Sequence, residues 1–433
     1  MVRVSLIAGS CRCQRVASVL FWRTRASHFG GVVSVLVAEI ELIKVKDDKR
    51  FSFTFFSSVP REEERHTQQA KTSTMTVDMP TAHVPQIDFG PFLKDEGILV
   101  GDAPTPGQLA VAQAMDAACR HHGFLYLTNF GLSKADRRAA FDAAHVLFGL
   151  DRATKIDGLR RLGPTDNMGY APYKYESHNP RRPPELSEKF GVRFPPAHVN
   201  DFRACPAEFV TACDRLRDVM KDACYRYAVA LALALGLAHQ PTFFADTFRL
   251  MNQCTLRFLH APPCDYDASA AGDLQRSIRV SEHTDFGCFT ILLHDDHGAQ
   301  GLQIRPVAGG EVERKENDGV WQKVVLPTLD ESATAAGALV NTGALLARWT
   351  NDEWKATAHR VVVESAEQAN MDRYSLAFFA DPDVGSVVDV PDVLLGDKPK
   401  LYQPTTSDAY LLEKLLAMGR ADVSAEEPEE KKE

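Results

Sequence analysis

The tripeptide His283-Thr284-Asp285 is the feature of this 433-residue sequence that most constrains its fold. Residues i and i+2 of a strand point to the same face, so His283 and Asp285 are predicted to reach one metal ion from inside a barrel. A second histidine, His359, lies in another predicted strand, 355–363. If the two strands are neighbours, two imidazoles and one carboxylate meet, a set that suits Fe(II) and leaves coordination positions open. An isolated His-x-Asp is typical of ordinary surface strands, so the metal hypothesis depends on what surrounds the motif.

Arg373 and Ser375 form the second part of the predicted site. They alternate along one strand and are followed by the apolar run that ends at Ala380. A guanidinium matches a carboxylate through two parallel hydrogen bonds, and the serine hydroxyl adds a third. The alternative is a salt-bridged surface arginine, which is less typical where the arginine opens an apolar strand. The pattern therefore predicts an anion clamp beside the metal, as a dicarboxylate co-substrate requires.

Short runs rich in β-branched and aromatic residues follow one another from Thr255 onward and predict a sandwich or jelly roll. The predicted strands are 255–260, 287–293, 301–305, 320–325, 337–341, 357–363 and 373–379. Helices are predicted near 107–122, 133–148 and 207–236, and after Ser407. Residues 157–206 are predicted to form an irregular covering loop. The predicted fold class is therefore mainly β with flanking helices, with a sandwich or jelly roll as its core.

Charge and cysteine content exclude several classes of protein. A formal net charge of -9 argues against a nucleic-acid partner, which needs a basic face. The nine cysteines include no Cys-x-x-Cys pair, so neither a disulfide framework nor a zinc ribbon is predicted, and a reducing compartment fits best. Apolar runs stay well short of the roughly 20 residues that a membrane span needs. We therefore expect a cytoplasmic protein that does not bind membranes.

The N-terminal segment 1–74 differs from the rest in charge. Its first acidic residue is Glu39, and five arginines precede it. This pattern resembles an organellar transit peptide, and an upstream extension with translation from Met75 is the alternative. The predicted divisions are a disordered or transit-like extension (1–78), an N-terminal region (79–206), a jelly-roll domain (207–420) and a disordered tail (421–433).

Together, these motifs resemble the isopenicillin N synthase-like branch of the 2-oxoglutarate and Fe(II)-dependent oxygenases. The resemblance covers about residues 84–385 and depends on segments that follow the family's order: 84–89, 122–131, 283–285, 301–304, 341–343, 349–351, 359–361 and 373–375. Ala261 departs from the family, because many members have a tyrosine there that helps to bind the co-substrate. The intervals from Asp285 to His359 and from His359 to Arg373 are also longer than usual, through insertions in turn-like sequence.

The resemblance implies a double-stranded β-helix (jelly roll) core and a specific chemistry. Iron would be held by His283, Asp285 and His359, and 2-oxoglutarate by Arg373 and Ser375, with ascorbate as a further candidate cofactor. A small organic molecule would be hydroxylated or desaturated, with release of succinate and CO2. Two alternatives stay open, an oxidase on the same fold that does not use 2-oxoglutarate and a non-catalytic binding protein. The oligomeric state is not predicted.

Further residues are weaker candidates. Several aromatic groups of the 157–206 loop and one after the metal motif could line the substrate pocket or pack under the loop: Tyr170, Tyr173, Tyr175, His178 and Phe286. Arg181 and Arg182 are predicted to be solvated charges rather than contacts to an acidic substrate. The cluster from His294 to His297 is predicted to be a polar turn rather than a second metal site.

Overall fold

The computed structural model describes residues 36–45, 48–57, 79–93, 103–162, 167–266, 277–295, 301–307, 319–327, 335–417 and 419–420. The chain divides into two units, Met1–Thr76 and Val77–Glu433. In the first, strands β1 (Leu36–Val45) and β2 (Asp48–Ser57) pair antiparallel. That 1–78 is a disordered or transit-like extension stays a prediction, and the predicted disordered tail lies outside the described residues.

The helices of the second unit agree with the predicted ones and add short turns. They are α1 (Pro106–His121), α2 (Lys134–Phe148), α3 (Ala207–Ala234), α4 (Ala344–Trp349), α5 (Ala366–Ala369), α6 (Asp392–Leu395) and α7 (Ser407–Leu416). A capping box begins α1, because Thr105 and Gln108 each accept a hydrogen bond from the other's backbone N–H. Gly123 follows its end with a φ of +63°, and a Cβ there would lie 2.4 Å from the Lys355 carbonyl oxygen. Among the described residues, no helix is both long and apolar enough to cross a bilayer.

The described strands of the second unit form two principal sheets and two short two-stranded pairs. They are β3 (Thr81–His83), β4 (Gln86–Asp88), β5 (Phe124–Thr128), β6 (Gly169–Ala171), β7 (Glu176–Ser177), β8 (Glu188–Arg193), β9 (Thr255–Ala261), β10 (Ile278–His283), β11 (Phe289–His294), β12 (Leu302–Arg305), β13 (Gln322–Val325), β14 (Ala338–Thr342), β15 (Ala358–Val362), β16 (Arg373–Ala380), β17 (Val387–Val388), β18 (Thr405–Thr406) and β19 (Gly419–Arg420). One sheet has the order β10-β15-β12-β13-β3, and the other has β4-β5-β14-β11-β16-β9-β8-β6.

Each face of the larger sheet packs against a different layer. Phe124, Tyr126 and Leu339 join Leu302 and Ile304 of the smaller sheet in an inner apolar cluster. The opposite face packs on the helices in the main core, to which α3 contributes a long buried surface. Two facing sheets with helices on the outside form the double-stranded β-helix that the sequence predicts.

The prediction for residues 157–206 was wrong in part. Strands β6, β7 and β8 lie within this range, and β8 pairs along its whole length with β9. The strand was missed because Glu188 and Lys189, which are charged, open it, whereas predicted strands were identified by apolar runs. Its charged residues are buried nonetheless, since they pair with other charged groups inside the protein.

Candidate metal centre and active-site cavity

The three predicted metal ligands meet at one point of the barrel. His283 ends β10 and His359 lies near the start of β15, and the two residues are directly paired in this antiparallel ladder. Asp285 Oδ1 lies 3.4 Å from the Nε2 atom of His283 and 3.6 Å from that of His359. One potential ligand atom from each residue lies within 4.8 Å of the others. The geometry therefore offers two imidazoles and one carboxylate to a single ion.

The position of Asp285 has a different cause from the one the sequence suggested. Strand β10 stops at His283, so Asp285 lies in the irregular segment beyond it rather than two places along a regular strand. Its Oδ2 atom accepts hydrogen bonds from the Thr290 hydroxyl and, at 2.7 Å, from the Asn341 amide. These two donors fix the carboxylate so that Oδ1 faces the imidazoles. Asn341 belonged to a family-like segment but had no predicted role, and Thr290 gave no signal in the sequence.

Backbone carbonyls orient both histidines. Nδ1 of His283 lies 2.7 Å from the Ser281 carbonyl oxygen, and Nδ1 of His359 lies 3.2 Å from that of Thr357. A carbonyl can only accept, so each Nδ1 carries the proton when the ring is neutral. Each Nε2 then presents its lone pair, as a metal ligand must.

The charge states of the three groups depend on one another. Burial opposes charge on Asp285, but His359 and His283 outweigh it and hold the pKa of the carboxyl well below its usual range. Burial likewise opposes the charge of His283, yet its contact with Asp285 raises the pKa. For His359, burial and then the neighbouring His283 lower the pKa to about 4. Near neutral pH, Asp285 is ionised and His359 is neutral, which are the forms that bind metals.

A buried polar network supports the ring of His283. His178 stacks on this ring with centroids 4.2 Å apart, and its Nδ1 lies 2.7 Å from Glu185 Oε1. Glu185 also accepts a hydrogen bond of 2.7 Å from Lys189 and one of 2.9 Å from the Ser281 backbone N–H. The loop residue His178 therefore lies at the metal centre, whereas Glu185 was not predicted to have any role.

Arg373 and Ser375 share one face of β16, as predicted. Both are buried, and Nη1 of Arg373 donates to the Ser375 hydroxyl at 3.3 Å. Among the described residues, Nε of Arg373 has no hydrogen-bond partner. Burial lowers the pKa of Arg373 to about 10. Ala261 is paired directly with Arg373 on β9, so a methyl group stands where many family members offer a tyrosine hydroxyl.

A cavity of about 810 Å³ opens at the metal centre, and His178, His283, Asp285 and Phe286 line it. Of the predicted pocket residues, His178 and Phe286 are therefore found there, while three lie elsewhere: Tyr170, Tyr173 and Tyr175. Asp381 lines the same cavity, and burial raises its pKa to about 7 although Arg193 opposes the shift.

The prediction for Arg182 was wrong, whereas Arg181 is exposed as predicted. The Arg182 side chain is 1% exposed, and its Nε donates to Glu282. The arginine is buried because this carboxylate compensates its charge. Of the cluster 294–297, His294 ends β11 and residues 296 and 297 lie outside the described part of the chain.

Two protein-family models match the chain in sequence order. The first describes the N-terminal region of the non-haem dioxygenase in morphine synthesis and matches residues 84–208. The second describes the 2OG-Fe(II) oxygenase superfamily and matches residues 251–382. This second match contains all five residues of the predicted metal and co-substrate sites.

Known proteins resemble the chain over most of its length. The 2-oxoglutarate-dependent dioxygenase citB of Monascus ruber is 29% identical over 356 residues, which cover 75% of this chain and 95% of that enzyme. A full-length Neurospora crassa protein, solved with alpha-KG, is 26% identical with a TM-score of 0.59, and the match covers 77% of this chain and 96% of that one. JOX2, solved with 2OG, Fe and JA, is 23% identical with a TM-score of 0.58, covers 78% of this chain and 86% of its own, and shows a likeness of fold.

Proposed function

The chain belongs to the 2-oxoglutarate and Fe(II)-dependent oxygenase superfamily, and we therefore propose that His283, Asp285 and His359 hold the iron while Arg373 and Ser375 hold 2-oxoglutarate. It is an oxidoreductase, and Fe(II) and 2-oxoglutarate are its cofactor and co-substrate. The convergence of the two imidazoles and the carboxylate is the observation that carries the proposal, and His283 and Asp285 also line the cavity described above.

The donor set fits Fe(II) in kind and in number. Two imidazole nitrogens and one carboxylate oxygen are the facial set of non-haem iron oxygenases, and they leave positions open for a co-substrate. Thr290 and Asn341 donate hydrogen bonds to Oδ2 of Asp285, so Oδ1 is the oxygen that Asp285 offers the ion. A network that fixes all three ligands in this way is typical of a built metal site rather than of a chance cluster.

The clamp fits the distal carboxylate of 2-oxoglutarate. The buried guanidinium of Arg373, whose Nε has no partner in the part of the chain that the structure describes, retains a donor for an anion, and Ser375 beside it supplies a hydroxyl. Ala261 offers no hydroxyl, so among the described residues the proposed clamp consists of Arg373 and Ser375. We expect the 2-oxoglutarate affinity to depend on Arg373 more strongly than in relatives that keep the tyrosine.

When bound, Fe(II) and 2-oxoglutarate supply the activation of dioxygen, with succinate and CO2 released as the substrate is oxidised. The protein's own residues position the ligands, exclude water and align the substrate C–H bond in the cavity. The substrate is a small organic molecule in this proposal. The Neurospora crassa protein described above, which has also been crystallised with alpha-KG and thymine, is a neighbour that binds one.

The test uses the full-length protein, purified without oxygen and supplied with Fe(II) and 2-oxoglutarate. Pools of small molecules are then screened for stimulated succinate formation after oxygen is admitted. We expect stimulation by at least one pool, and loss of the signal in His283→Ala and Asp285→Ala. Full turnover in Asp285→Ala would refute the ligand assignment. Substrate oxidation without succinate would identify an oxidase that does not use 2-oxoglutarate.

A further inference from the structure

A second buried arginine lies on the face of the larger sheet that carries the co-substrate clamp. Residues paired directly across an antiparallel ladder share a face, and alternate residues of one strand do too. Arg373 is paired with Ala261, and Ala377 is paired with Arg257. Arg257 therefore points to the same side as Arg373, four positions away along the strand, and it lines the cavity at the metal centre.

The contacts that the described residues make with Arg257 leave one of its donors unused. The residue is 4% exposed, and its Nη2 donates to Glu176 Oε2. Glu176 is itself shared with Lys189, whose Nζ lies 3.4 Å from the same oxygen. Among the described residues, Nε of Arg257 has no hydrogen-bond partner. Buried polar groups are normally paired, so an unpaired donor in a cavity wall indicates a site for a ligand oxygen.

Arg193, on the strand next to that of Arg257, places another guanidinium in the cavity wall. Arg193 ends β8, is paired with Thr255 and lines the same cavity. Its Nη2 donates to the Asn252 carbonyl oxygen at 2.6 Å and lies 3.3 Å from His198 Nε2. Besides Asp285, the carboxyl groups that the described residues place in this wall are Asp381 and Asp408, and Asp408 accepts a hydrogen bond from the Gly385 N–H. Among the described residues, the carboxylate in contact with Arg257 is Glu176, and neither Asp381 nor Asp408 accepts a hydrogen bond from Arg257 Nε.

Apolar side chains also line the cavity. They include leucines of α7 (Leu411, Leu412 and Leu415) together with Phe286 and Phe379. Leu412 is 47% exposed although its side chain borders the cavity. A ligand that filled the cavity would cover this surface, which favours a substrate with an apolar body.

We propose, on the basis of the function inferred above, that the substrate is a small amphipathic carboxylic acid. Its carboxylate binds Arg257, which can donate in parallel through Nε and through the second N–H of Nη2, while the first N–H of Nη2 stays with Glu176; Arg193 lies on the adjacent strand. Its apolar body lies along the leucines of α7. A carboxylate fits this fork better than an alcohol or an ester does, because both of its oxygens accept in the guanidinium plane.

The test measures binding to full-length protein loaded with Mn(II) and 2-oxoglutarate under anaerobic conditions. The probes are aryl and alkyl carboxylic acids, each paired with its methyl ester and its primary alcohol, titrated by calorimetry. We expect acids to bind the wild type about 10- to 100-fold more tightly than their esters, as a charge-assisted pair predicts. Arg257→Gln should abolish this preference and leave the 2-oxoglutarate dissociation constant unchanged. Arg249→Gln, at an exposed arginine paired with Asp246, is the matched control and should change neither.

Arg257→Lys keeps a cation for Glu176 and guards against a variant that fails to fold. It should retain 2-oxoglutarate binding and show a smaller loss of acid preference, because an ammonium lacks the planar fork. The proposal is wrong if no acid of the panel binds the wild type, if esters bind as tightly as acids, or if both Arg257 variants keep the preference. Failure of the wild type to bind Mn(II) with 2-oxoglutarate would instead refute the proposed function.

Discussion

Replacing Thr290 with valine tests whether the hydrogen bonds that Asp285 accepts contribute to metal binding. The substitution keeps the side-chain shape and removes the hydroxyl that donates to Asp285 Oδ2, while Asn341 keeps its 2.7 Å bond to the same oxygen. A hydrogen bond to a charged group contributes about 1.5–3 kcal/mol. Since one donor remains, we take the lower part of that range, which corresponds to about 10- to 30-fold weaker metal binding. Residues that hydrogen-bond to metal ligands typically contribute about 10- to 100-fold to metal affinity, so the two estimates agree.

The assay for this prediction is anaerobic titration with Mn(II), a redox-stable substitute for Fe(II), followed by calorimetry. Thr350→Val is the matched control, because Thr350 is also buried but its hydroxyl donates to helix carbonyls of Leu346 and Ala347. We expect it to lower the unfolding temperature without weakening metal binding. An unchanged Mn(II) dissociation constant in Thr290→Val, or an equal loss in both variants, would refute the reasoning.

Three further predictions follow from the same structure. Arg373→Ala should raise the KM for 2-oxoglutarate at least about tenfold while saturating co-substrate restores most turnover, and an unchanged KM would exclude Arg373 from the clamp. Ending the chain after Thr406 removes α7, so the substrate KM should rise while 2-oxoglutarate binding stays constant; an equal loss of both would mean that the helix supports the barrel itself. Glu188 is buried with Lys155 and His260. Burial opposes the charge of its carboxylate, but these partners lower the pKa below its usual value. The contribution of Glu188 to the stability of the fold is therefore present above pH 4.5 and is lost as the pH falls through the folded-state pKa. Glu188→Gln should therefore lower the free energy of unfolding, measured with denaturant, by about 3 kcal/mol near pH 7. The difference in this free energy between the variant and the wild type should become smaller below pH 4.5.

Local patterns in the sequence predicted most of the elements and the three candidate metal ligands that the structure brings together. Period-2 alternation predicted the shared face of Arg373 and Ser375, and helical spacing predicted α1 and α3 within two residues. Such patterns succeed because burial acts on neighbours of one strand or one helix turn. They failed at β8, where the buried residues are charged, and at Asp285, which lies beyond the end of its strand.

The order of residues along the chain was enough to define the available chemistry: a His-x-Asp, a distant histidine and an Arg-x-Ser in the order of one enzyme family. The groups that act on these residues became visible only when the strands were paired. Asn341 reaches Asp285 across 56 residues of chain, and Arg257 reaches Glu176 across 81. Neither separation has a period that a sequence could display, because contacts between strands are set by ladder register and sheet order. The wall of the cavity at the metal centre draws residues from β8, β9 and α7, and for that reason the proposed substrate specificity would depend on the fold rather than on any motif.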